Sequence, residues 1–172
     1  MVKLICAAFI VFSASMVGWQ IAKFYATRPQ QVRSWILSLQ LLETEIVYGS
    51  TPLHRAFQKI GQRIQPEIGC FFLSAATHLQ AEEGHSTNTC WQTSLEKHWR
   101  ETALRKEEKD VISSLGYSLG NSDRENQQKH LRLSITQLAS IEEEARIEQG
   151  KYEKMYKSLG VLSGLLVAIL MF

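Results

Sequence analysis

A serine, an acid and a histidine that could act together lie close in sequence in the second half of the chain. Gly116-Tyr117-Ser118-Leu119-Gly120 matches the pattern that sets a serine nucleophile on a sharp strand-to-helix turn, and Asp123 and His130 follow in the order serine, acid, histidine. Such a set would perform acyl transfer, with the histidine taking the hydroxyl proton and the acid orienting it. The pattern requires a strand before the serine and a parallel sheet beneath it, and three members within so short a stretch leave no fold between them. The stretch therefore reads as a helix end followed by a turn, and no catalytic residue is assigned.

Metal chemistry is no better supplied. Glu82-Glu83-Gly84-His85 offers one Glu-x-x-His pair, whereas a four-helix carboxylate site needs two such pairs and two further glutamates. Cys70, His78, His85 and Cys90 lack the short Cys-x-x-Cys turn of a credible zinc site, so they read as buried helical cysteines and surface histidines. Phosphate-cradling loops, zinc-protease helices and dinucleotide fingerprints are absent from the sequence. No metal and no cofactor is expected. The polar run Ser122 to Arg132 holds the remaining candidates, a partner surface made of Asp123, Arg124, Glu125, Gln128 and His130, with Arg33 next in line. Its alternative is a capped, solvent-facing helix start.

Two apolar segments frame these residues. One runs from Leu4 to about Ala22 and the other from Leu159 to Phe172, and each carries its basic residues on the side facing the middle: Lys23, Arg28 and Arg33, then Lys151, Lys154 and Lys157. Basic flanks stay cytoplasmic. The expectation is a membrane hairpin with both termini outside the cytoplasm: residues 1–25 one transmembrane helix, 26–150 a cytoplasmic helical domain, 151–172 a juxtamembrane segment and second transmembrane helix. The second segment is short against the roughly 20 residues a bilayer requires. It must recruit Met155 and Tyr156 or let Lys157 snorkel. A cleaved signal peptide is the alternative for the N-terminus, disfavoured because the apolar run continues past Ser15 and the basic residues follow it. Small residues recur every four positions, Ala14, Gly18 and Ala22 in the first segment and Gly160, Gly164 and Ala168 in the second, a stripe that lets helices approach closely in lipid.

The net charge of +2 conceals a division: the flanks are basic, while residues 34–150 are mildly acidic. A nucleic-acid platform would place its positive charge on the folded face, so no nucleic acid is expected. Three scattered cysteines make no disulfide framework.

Between the segments the periodicity is helical. One helix begins at Pro29, with Val32, Trp35, Ile36, Leu39, Leu42 and Ile46 on one face, and ends at Gly49. Thr51 caps a second with Pro52 at its first position. Pro66 and Gly69 punctuate, and a third runs through Phe71, Phe72, Ala75 and Leu79 to Gly84. After the loop His85 to Asn88, a fourth carries Trp91, Leu95 and Trp99, and a fifth carries Val111, Ile112, Leu115 and Leu119, closing at Gly116 or Gly120. Ser122 and Glu125 form a capping box at the head of a sixth helix, which runs on through Gly150. No stretch alternates as a half-buried strand must. The fold class is all-α, one six-helix domain.

Five stretches in order carry a resemblance: Arg28 to Arg33, Leu42 to Leu53, Leu115 to Glu125, Lys129-His130-Leu131, and Met155 to Leu162. Together they resemble the stage III sporulation protein AB family (SpoIIIAB) of endospore-forming bacteria; residues 66–106 carry little of it. The resemblance implies a membrane component of the complex linking mother cell and forespore, multi-pass in the mother-cell membrane around the forespore. It implies a six-helix cytoplasmic bundle similar to the platform proteins of type II secretion, a cytoplasmic secretion-type ATPase (SpoIIIAA) as partner, and other SpoIIIA-operon membrane proteins alongside; a homo-oligomer is left open. The family brings no catalytic residue. Two other readings compete with a scaffold: a small-molecule sensor lined by Phe71, Phe72, Trp91 and Trp99, and a Ser118-dependent hydrolase.

Overall fold

Six α-helices and no strand make up the described residues of the computed structural model, which are 2–49, 51–81 and 86–170; of residues 2–8, 121, 168 and 170 only the backbone is described. In chain order they are α1 (Val2–Tyr48), α2 (Leu53–Arg63), α3 (Pro66–Ala81), α4 (Thr87–Trp99), α5 (Lys106–Asn121) and α6 (Arg124–Leu170). They fall into two compact units, Met1–Pro29 with Glu143–Phe172, and Gln30–Glu142. Among the described residues no helix is long and apolar enough to cross a membrane.

The unit of residues 30–142 is built around aromatic side chains. Trp35, Phe57, Phe71, Phe72 and Trp91 are all essentially inaccessible, and their rings meet edge to face or tilted, the closest pair being Phe71 and Trp91 with centroids 4.7 Å apart. This geometry is the one aromatic quadrupoles favour, and it supplies a large buried apolar area from few residues. Trp91 also satisfies its indole N–H, which donates to the Ile112 carbonyl at 2.9 Å. Beside it Gln92 and Ser113 exchange hydrogen bonds, so α4 and α5 are joined by both packing and polar contacts. Leu131 and Leu138 of α6 and Val32, Leu39 and Leu42 of α1 complete the core.

Helix boundaries depart from the expected ones at several prolines and glycines, each for a physical reason. The helix expected to begin at Pro29 is already under way: Pro29 lies inside α1. Thr51 does not cap α2; its hydroxyl donates to Glu45 Oε2 at 2.6 Å, and Pro52 occupies the position before the first helical residue. Pro66 opens α3 rather than separating it from its neighbours, and Gly69 lies within that helix. A Cβ on Gly69 would stand 2.6 Å from the Gly61 carbonyl oxygen, so both glycines serve the close crossing of α2 and α3. Likewise α5 runs through Gly116 and Gly120 to Asn121. Neither glycine ends it; side chains at either would collide with Asn88 and Trp91, or with Thr87, of α4. Ser86 caps α4 through its hydroxyl, which accepts from the Thr89 amide. The stretch 82–85, including the expected end of the third helix at Gly84, lies outside the described residues.

Candidate functional site

The small-residue stripes meet in the unit formed by the two ends of the chain. A Cβ on Gly18 would lie 2.7 Å from the Tyr156 carbonyl oxygen and 2.9 Å from the Gly160 Cα, and one on Gly164 would lie 2.9 Å from the Val11 Cα and 3.1 Å from the Ala14 Cβ. Ala22 is fully buried in the same unit. Ala14, Gly18, Gly160 and Gly164 thus form one seam in which backbone lies on backbone; the Ala168 side chain lies outside the described residues. Large apolar groups take the opposite position. Phe9 and Phe12 are 69% exposed, Trp19 59% and Leu162 62%. Toward the inner end Tyr25 stacks on Tyr156, with planes 15° apart, and tilts against Tyr152. Arg28, assigned to a basic flank by the sequence, is 2% exposed and pairs with Glu148 at 3.0 Å.

The second candidate lies in residues 30–142, where α6 begins. Gln128 is not free for a partner: its amide donates to Glu43 Oε1 at 3.0 Å, and Arg132 Nε donates to the same oxygen at 2.6 Å. Burial would raise the Glu43 carboxyl, but these two hydrogen bonds and the Arg132 charge outweigh it and hold the group below the ordinary carboxylate range. Asp123, itself exposed, accepts from Asn126 Nδ2 on the same turn, and its carbonyl accepts the Gln127 amide N–H. The Gln127 side-chain amide closes the α5–α6 turn by donating to the Leu119 and Ser122 carbonyls, both at 3.0 Å. Arg124, Glu125 and His130 are exposed, as is Arg33 on α1.

Arg124 stands at the rim of a cavity of about 180 Å³. Its lining is apolar at Ile46, Leu53, Ala56 and Leu119 and polar at Glu45, Thr51, Gln127 and Arg124 itself. Glu45 is held by Thr51 and by Lys59, at 3.1 and 3.2 Å. The Thr51 hydrogen bond first, then that of Lys59, hold its carboxyl below the ordinary range. Sequence reasoning found Arg124 but missed Glu45, Thr51 and Gln127, which come together only through the return of the chain after α1 and the turn after α5.

The catalytic set is not assembled. Ser118 is buried inside α5 and donates its hydroxyl to the Leu115 carbonyl of its own helix at 3.0 Å, while His130 is exposed. The aromatic residues of the sensor reading pack on one another. The cavity reached by Phe71 and Trp99 amounts to about 10 Å³, roughly the room of one water molecule. No group of three or more metal-ligating side chains gathers among the described residues. Cys90 is buried as expected, but Cys70 is exposed, because its position on α3 turns away from the Phe71 and Phe72 face. His85 and Glu82 lie outside the described residues.

Comparison with known proteins gives a consistent result. The family model described as stage III sporulation protein AB matches residues 3–172. Stage III sporulation protein AB of Bacillus subtilis (strain 168) is 42% identical over 171 residues, which cover 99% of each chain. A solved structure of stage III sporulation protein AB (SpoIIIAB) superposes with a TM-score of 0.69 at 38% identity, covering 73% of this chain and 98% of that one. These relatives bear the name of a sporulation protein and not that of an enzyme.

Proposed function

The chain belongs to the stage III sporulation protein AB family, and from that premise we propose that it is a non-enzymatic membrane scaffold of the mother cell–forespore channel complex, coupling a cytoplasmic secretion-type ATPase to the membrane assembly. One observation carries the membrane part. In the unit of the two chain ends, small residues face inward and large apolar ones outward: Phe9, Phe12, Trp19, Leu162 and Leu166 are all more than half exposed. A helix pair in water would bury such residues and expose polar ones; the reverse arrangement suits lipid, where helices associate through close backbone packing rather than the hydrophobic effect. Tyr25, Tyr152 and Tyr156 cluster next to the basic flank, where interfacial aromatic residues belong. The reading draws on the whole first segment from Leu4, whose opening side chains lie outside the described residues.

The charge bias then sets Lys23, Lys151 and Lys154 on the cytoplasmic side and both termini outside it. The helical domain of residues 26–150 would face the ATPase, SpoIIIAA, with its platform-like bundle, and other membrane proteins of the SpoIIIA operon would surround the hairpin. The exposed Arg124 and Glu125 are the contact residues of choice, since neighbouring Gln128 and Arg132 are already engaged by Glu43. Reversing an exposed charge costs the fold little, within about 0.5 kcal/mol, but places like charges together at an interface. The test is Arg124→Glu in the full chain: its melting should match the parent, while ATPase binding and sporulation are lost. Retained binding together with a lowered Tm would make the segment a structural cap and place the contact elsewhere. Reporter fusions at each terminus test the topology; a cytoplasmic signal from one after Phe172 would refute a spanning second segment.

A further inference from the structure

We infer that the cavity beside Arg124 is an anchor pocket for a protein partner that presents an aliphatic side chain next to a carboxylate. This rests on the reading of the α6 start as a partner surface and adds what that partner must carry. The floor accounts for the aliphatic group: Ala56 and Leu119 are buried at the base, Ile46 and Leu53 form the walls, and the volume of about 180 Å³ suits one branched side chain. Filling the cavity covers the apolar surface that the partly buried Ile46 and Leu53 still show to water, the usual source of anchor affinity.

The rim accounts for the carboxylate. The nearby carboxylates are already matched: Glu45 is held by Thr51 and Lys59, and Glu43 by Gln128 and Arg132. Arg124 makes no ion pair and no side-chain hydrogen bond among the described residues, although it lines the cavity. Arg63 adds its positive field at Glu45. With Lys59 offsetting Glu45, the rim presents a net positive charge, and the guanidinium that lines the cavity itself is that of Arg124, which matches a carboxylate in planar, two-point fashion. A partner with a basic residue beside its anchor would be repelled. The floor selects the side chain and the rim selects its neighbour.

Titrating the full chain with acetyl-Leu-Glu-amide and acetyl-Leu-Gln-amide, followed by the methyl signals of Ile46, Leu53 and Leu119, tests the assignment. The glutamate peptide should shift those signals and bind about fivefold more tightly than the glutamine peptide. Arg124→Gln, an exposed and fold-neutral change, should erase the difference while leaving the weaker aliphatic binding. Ala56→Leu, which fills the floor, should weaken both peptides; its Tm is measured alongside. Equal affinity of the two peptides for the parent chain, or a preference that survives Arg124→Gln, overturns the pocket. If neither peptide binds while Arg124→Glu still abolishes ATPase binding, the pocket is wrong and the scaffold reading stands. If the peptides behave as expected but the ATPase ignores every Arg124 variant, the pocket stands and the ATPase assignment falls.

Discussion

Replacing Gly160 by leucine tests the seam on which the membrane reading depends. Even a single added carbon at Gly160 would lie 3.0 Å from the Ala14 carbonyl oxygen and 3.0 Å from the Gly18 Cα. Carbon atoms attract best at about 3.5–4.0 Å, so the segments must part by roughly 0.5–1 Å at this point before the rest of the leucine is housed. A gap of that size forfeits a quarter to a half of each contact. For about 20 atom pairs across the crossing, at about 0.15 kcal/mol each, the loss is about 1 kcal/mol, or about fivefold in the population of the closed pair. Ser15 and Val161 line the same groove. Cysteines placed there, in a chain freed of its three native ones, report closure through a short bifunctional maleimide. Gly150→Leu is the control, because nothing lies within 4 Å of a Cβ at Gly150. Crosslinking should fall in Gly160→Leu and hold in Gly150→Leu, with helicity unchanged in both. Equal crosslinking in the two would refute the reasoning, since the steric contact would then not govern the pair.

Other consequences follow from single positions. Gly150→Ala should stabilise the α6 segment by about 0.5–1 kcal/mol, because an open mid-helix position gains helix propensity at no steric cost; a rise in the denaturation midpoint checks it. Trp91→Ala should cost about 3–5 kcal/mol in the denaturation of the full chain, as it empties the centre of the aromatic core and removes the donor to Ile112. Glu43 and Glu45 titrate lower in the folded chain, so their stabilisation is full above the unfolded glutamate value of about 4.3 and is lost as pH falls through the lowered folded values. Glu43→Gln should therefore flatten the fall in stability between neutral and acidic pH, and an unchanged acid limb would contradict the role given to Gln128 and Arg132.

The helical class and the core were legible because they rest on periodicity: Val32, Trp35, Leu39 and Leu42 on α1, and Leu131 and Leu138 on α6, were named from spacing and are buried. What failed was punctuation. Pro29, Gly69 and Gly116 are residues that weaken helices locally, and local propensity alone sets breaks there. Tertiary contact overrides it, since Gly69 and Gly116 stand where Gly61 and Trp91 come too close for any side chain. Small residues in α5 that mimic a serine nucleophile motif are thus the imprint of α4 on its neighbour. The buried Arg28 and its Glu148 partner were illegible for a related reason, since the two are 120 positions apart and no pattern in either stretch announces the other.

The same contrast bears on where function resides in this chain. At the start of α6 the polar residues look alike in sequence, a run from Asp123 to Arg132 interrupted only by Leu131. Folding divides them. Asp123 turns onto Asn126, Gln127 closes the turn, and Gln128 and Arg132 converge on Glu43. Arg124 is left as a cation over an apolar hollow. Polar groups bound within the protein hold a turn in place, whereas a solvated cation at the edge of an apolar hollow remains available to an incoming partner. Partner choice at this end of the bundle therefore depends on which of these groups the fold leaves uncommitted: an arginine at position 128 would fall beside Glu43 and be held there, so exchanging Arg124 with Gln128 should abolish the preference for the glutamate peptide over the glutamine peptide at unchanged composition and net charge.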